Sequence, residues 1–267
     1  MTPFRFGPAA RQLYGVIHPP SPSTANGTAV LFFNPLGQEA VRVHRLQRIL
    51  CERLAERGFS AMRFDYFGTG ESAGDDEDGD LLGWLDDARR AHAELLRRSR
   101  ATRSVWVGAR LGGTIAAMAV DGTARPADRL VLWEPISDGP AYLDELARGH
   151  AAALAEADGR SLNGTIPALA DEAIGFGLGK SMLAQLEGID ALGIASEGCR
   201  EVAILASAAH EVDAALVRAF ESVGAAVRTP RADQAFDWLT EEAMSTALVP
   251  APVLEALATQ ITGAPHA

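Results

Sequence analysis

Short apolar runs alternate with helix-patterned segments along most of the chain, and this alternation limits the fold more than any other feature. The runs at 13–17, 29–34, 60–66, 104–108, 129–135, 201–207 and 225–230 are rich in Val, Ile, Leu, Phe and Trp, with Pro or Gly near several of them. Such runs predict strands. Between them, 40–58, 80–99, 111–120, 211–223 and 250–262 read as helices, the first with Val43, Leu46, Ile49, Leu50 and Leu54 on one face. Strand–helix alternation predicts an α/β fold, a mostly parallel sheet with helices on both faces. The segment from about 138 to 192 breaks the rhythm. It is Ala-rich, Gly-punctuated and without a strong strand, and it predicts a helical cap inserted into one domain of 267 residues.

One strand-to-helix junction carries the chemistry. "VWVGARLGG" (105–113) has the spacing G-x-S-x-G, with Gly108 and Gly112 in place and Arg110 where the serine belongs. That pattern puts the middle side chain on a sharp turn at the floor of a pocket. A guanidinium cannot attack a carbonyl. The helix that follows points its positive end at the same spot, which disfavours a cation by about 0.3–1 kcal/mol. Together with free backbone N–H groups, expected from Leu36 and Leu111, the junction asks for an anion.

Other motifs accompany it. "FFNPLGQE" (32–39) closes an early strand, "RFDYFGTGESAG" (63–74) forms a D-x-x-G-x-G-x-S turn, and "LVLWEPISDG" (130–139) leads into the cap. In this order the motifs resemble the α/β-hydrolases, in the serine-aminopeptidase-like branch. "RLG" after Gly108 and the "PLGQE" loop resemble a smaller group with arginine at the elbow, the hydrolase-like proteins associated with exosortase systems. The resemblance covers nearly the whole chain. It implies a triad in the order nucleophile, acid, histidine.

Two of those three roles are empty. The nucleophile position is Arg110. The histidine should follow strand 225–230, but "RTPRADQAFDWLTEEA" contains none, and the nearest later one is His266 in the tail. Loss of serine or histidine from a working triad costs about 10⁶ in turnover. Ser72, Cys51 and Cys199 do not offer a substitute, since none sits on an elbow beside a base. Cys199 is expected near the surface and Cys51 in the core.

Arg110 therefore needs either an internal carboxylate or a ligand anion. The internal candidates are Glu134, which is expected to face the pocket, and Glu39 and Asp65 on loops at the same edge. A ligand carboxylate or phosphate would take the guanidinium bidentately. Arg110, Glu134 and Glu39 are the candidate catalytic residues. Leu36, Gln38, Asp65, Leu111, His210 and Trp238 are candidate lining residues, and His44 a displaced base or a surface histidine. Two functions follow: a divergent enzyme acting on a small acidic or acyl substrate, or an inactive pseudo-hydrolase that binds a ligand or a protein.

Composition bounds the partners. A net charge of −11 argues against nucleic acid and anionic membranes. Two distant cysteines, no apolar leader and no span of about 20 apolar residues predict a cytoplasmic protein. "GFGLGKS" (175–181) fails as a phosphate loop because Ile174 stands at the first glycine position. No metal or cofactor is implied, and "DDEDGD" (75–80) is expected to favour a helix entrance.

Overall fold

The computed structural model describes residues 1–159, 165–238 and 249–263. A hairpin, β1 (Thr2–Phe6) and β2 (Leu13–His18), opens the chain, followed by β3 (Thr28–Phe33), α1 (Gly37–Glu56) and β4 (Ser60–Asp65). Next come α2 (Leu81–Ser99), β5 (Arg103–Ala109), α3 (Leu111–Ala119) and β6 (Arg129–Trp133). The inserted stretch holds α4 (Gly139–Ala157), a small hairpin of β7 (Glu172–Ala173) and β8 (Phe176–Gly177), α5 (Lys180–Glu187) and α6 (Ala191–Ile194). The chain then returns through β9 (Glu201–Ser207), α7 (Ala214–Ser222), β10 (Ala226–Arg228) and β11 (Arg231–Ala232) to a closing helix, Ala251–Thr262.

The main sheet runs β1-β2-β4-β3-β5-β6-β9-β10, with β11 also on β9. Only β1 and β2 are antiparallel to their neighbours. The other pairs are parallel, as βαβ alternation requires. Side chains leave a strand alternately to its two faces, so each central strand feeds two cores. On β4, Met62 and Phe64 join the core that also holds Trp84 and Trp106, while Ala61 joins the core of Val43, Leu46 and Leu50 from α1.

β1 was not expected. Its "TPFRF" has one buried residue in five and a proline, so it lacks the apolar density of a central strand. It survives as an edge strand paired with β2 from Thr2↔Ile17 to Phe6↔Leu13. The last predicted strand is shorter than expected, three residues of β10. Cys199 is buried, not near the surface. The "DDEDGD" run makes a short capping box, and Asp80 accepts from the Gly83 N–H at the start of α2. Among the described residues no helix is long and apolar enough to cross a membrane, and no cluster of His, Cys, Asp or Glu has metal-binding geometry.

Candidate functional site

The elbow backbone has the conformation that its glycines predict. Arg110 stands at φ 50°, ψ −128°, between β5 and α3. For a residue with a Cβ such a conformation costs on the order of 1–3 kcal/mol. The glycines let α3 cross β5 closely. A Cβ on Gly108 would run into the Gly112 carbonyl, and one on Gly112 would lie 2.5 Å from the Phe33 and Asn34 carbonyl oxygens. The Arg110 N–H donates to the Trp133 carbonyl at 2.9 Å, which ties the turn to β6.

The side chain is 5% exposed. Its Nε donates to Glu39 Oε1 at 2.8 Å and its Nη2 to Glu145 Oε2 at 2.6 Å. Glu39, on the first turn of α1, is fully buried, and its other oxygen accepts from the Tyr142 hydroxyl at 2.9 Å. The guanidinium lies 5.4 Å from the Tyr142 ring centre and 5.6 Å from that of Trp238. Burial pulls the Arg110 pKa down, but Glu39 and Glu145 outweigh it and hold the group charged. Burial pushes Glu39 up, and Arg110 and the Tyr142 hydroxyl oppose that shift.

Glu134 does not pair with Arg110. It follows β6 at φ 46°, and this turn carries its side chain toward the end of β9. There Oε1 accepts from the Ser207 N–H at 2.8 Å, and Oε2 from Trp238 Nε1 at 2.6 Å. His210 Nδ1 is 3.2 Å from the same Oε2. Burial would push the Glu134 carboxyl up, but donation from His210, Ser207 and Trp238 brings it down to about 2. The carboxylate in turn raises His210. Trp238 is thus both a core aromatic, packed on Trp133 and Phe236, and a polar partner of the acid.

The other expected residues scatter. Leu36 caps α1 and Leu111 begins α3, positions whose N–H groups have no intrahelical acceptor. Gln38 lines a crevice too small for a substrate, beside Leu146 and Phe176. Asp65 is the last residue of β4 rather than a loop residue. It accepts from Asn34 Nδ2 at 3.3 Å and from the Glu71 N–H at 3.1 Å, away from Arg110. Ser72 is structural: its hydroxyl donates to the Asp65 carbonyl at 2.6 Å and accepts the Tyr14 N–H at 2.9 Å. His44 is an exposed residue of α1. His266 and residues 239–248 lie outside the described residues.

Two groups at the elbow, Tyr142 and Glu145, escaped the sequence analysis. They share one face of α4 at i and i+3. Helical periodicity in "GPAYLDELARGH" was visible, but not the surface which that face covers.

A sizeable cavity lies beside the elbow rather than on it. It encloses about 620 Å³, within the range of small-molecule sites. Leu36, Gly37 and Asn34 form one wall, and β2, β4, α1 and the β7–β8 hairpin the others. Arg110 is not part of the lining.

The comparisons with known proteins agree with this architecture. A carboxyl esterase from Bacillus coagulans superposes with a TM-score of 0.66 at 13% identity, over 98% of each chain. Est1E from Butyrivibrio proteoclasticus, solved with ferulic acid, gives 0.63 at 19% identity, over 97% of this chain and 99% of that one. The N-formylmaleamic acid deformylase of Pseudomonas putida S16 gives 0.55 at 18% identity, over 92% and 99%. None of the curated proteins matches the chain in sequence. The description of the serine aminopeptidase, S33, family matches residues 28–168, more than half of the chain and every strand from β3 to β6. With that match, the elbow turn and the sheet order together, the chain belongs to the serine aminopeptidase (S33) family of α/β-hydrolases.

Proposed function

We propose that this hydrolase-fold chain is a small-molecule binding protein whose elbow is chemically silent. One observation carries the proposal: the nucleophile position holds a buried arginine whose charge is met by two of the protein's own carboxylates. The anchor role expected from the sequence needs a free guanidinium edge. Here Nε and Nη2 are taken, two aromatic rings flank the group, and Arg110 does not line the cavity of about 620 Å³. A ligand anion would first have to displace Glu145. The cavity beside Asn34, Leu36 and Gly37 offers room without that cost. Exposure to a fluorophosphonate probe and to p-nitrophenyl acetate tests the proposal. The expected result is no adduct and no turnover above the buffer rate; saturable turnover overturns it.

A second reading is hydrolysis of an acyl substrate by a water in place of the serine. The Glu134–His210 pair favours it, because Nδ1 is held by the acid and the opposite nitrogen is left to act as a base. If turnover appears, its loss in His210→Ala assigns it to this pair.

A further inference from the structure

A second buried arginine lies at the floor of the cavity. Strand alternation in "SAMRFD" puts Arg63 on the same face of β4 as Ala61, opposite Val16 of β2. It is 9% exposed, and its Nε is buried without a hydrogen-bond partner. Among the described residues it forms no ion pair. Cys51, His18 and His44 beside it supply no anion. The Cys51 thiol is pushed up to about 12 by burial, so it stays protonated. His18 is brought down to about 4 by burial and by Arg63, so it stays neutral. His44 is lowered for the same two reasons. Asp65, two residues along the strand on the same face, is a carboxylate within electrostatic reach, but it is held by Asn34 and the Glu71 N–H and forms no ion pair with Arg63. Buried guanidinium groups are almost always paired. This one faces open space.

We propose that the cavity binds a monocarboxylate with an apolar acyl or aryl body, its head group paired with Arg63 and its body against Val16, Leu36, Phe176 and Met182. The planar guanidinium suits a carboxylate, which can take two parallel N–H donors. The apolar walls account for the body. Asp65 and the rim acids Glu71 and Asp76 line the same space, and they select against a second negative charge, so a phosphate dianion is excluded. The inference deepens the binding-protein reading, since it names the class of ligand that the cavity takes.

Titration calorimetry of the full chain with sodium octanoate tests it, with octanol and octyl phosphate as controls. Octanoate is expected to bind one to one, and octanol and octyl phosphate roughly tenfold or more weakly, the worth of one charge-assisted pair. Arg63→Met should weaken octanoate by a similar factor and leave octanol unchanged. If that variant does not fold, Ala40→Leu on the cavity wall replaces it and should weaken both ligands. Equal binding of octanoate and octanol by the native protein, or no binding of either, overturns the proposal. p-Nitrophenyl octanoate separates the two claims. Turnover with octanoate binding intact removes the silent-elbow reading alone, whereas silence without octanoate binding removes the ligand assignment alone.

Discussion

Arg110 and Arg63 are both buried arginines near the carboxyl ends of the central strands, and they differ in one respect. Arg110 has a carboxylate on each side and an aromatic ring on each flank. Arg63 has no ion pair among the described residues and lines open space. Desolvating a guanidinium costs several kcal/mol, and a protein recovers that only by supplying an anion. At the elbow the protein supplies it from α1 and α4, so the charge belongs to the architecture. On β4 the carboxylate on the same face, Asp65, is held by other donors, so the charge is available to something from outside. In the proposed reading the elbow position serves the architecture, and a strand position away from it carries the charge without an ion pair.

The sharpest way to break this contrast is to remove charges one at a time. Glu39→Ala leaves Arg110 half-compensated in the interior and should destabilise by about 3–5 kcal/mol. Arg63→Met removes a cation that has no partner, and in the absence of ligand it should leave stability within about 1 kcal/mol of native or raise it. Urea unfolding of both variants measures this. Equal losses would show that Arg63 is as structural as Arg110.

Acidity sharpens the contrast at a smaller scale. Glu134 titrates at about 2 in the folded chain, against an ordinary value of 4.5. Its contribution is fully present above pH 4.5 and is lost as pH falls from there toward 2, on the order of 3 kcal/mol at most. Glu134→Gln should flatten that acid limb of unfolding stability. His210 is raised, so its share is present below pH 6.5 and lost as pH rises through its folded value. That effect should be small, because 39% of the side chain is exposed. Arg63→Met should keep both limbs. A changed acid limb in that variant would mean that the two regions are electrically coupled.

The sheet was legible because β3 to β6 and β9 are dense apolar runs, and the elbow because two glycines mark a crossing that tolerates no Cβ. The partners at the elbow were not. Glu134 ends β6 where an acid could face Arg110, but one residue at positive φ turns it to β9, and nothing in "LWEPIS" announces that. Glu145 is one of several acids on an Ala-rich helix, and its role depends on how α4 docks. Arg63 was legible in principle: a cation at an inward position of an otherwise apolar strand is a conflict that the fold has to resolve.

The Arg110 clamp also bears on how the molecule comes apart. It joins Glu39 at the head of α1, the turn before α3, and the first two turns of α4, pairs that lie 35 to 103 residues apart in the chain. α4 cannot lift away on its own without leaving a guanidinium short of one carboxylate and Glu39 short of the Tyr142 hydroxyl. Amide protons in the first turns of α4 should therefore exchange with deuterium at rates near those of β5 and β6, as one cooperative unit, while the far end of the same helix exchanges faster. A surface helix that frays from both ends alike would show that the clamp does not couple them.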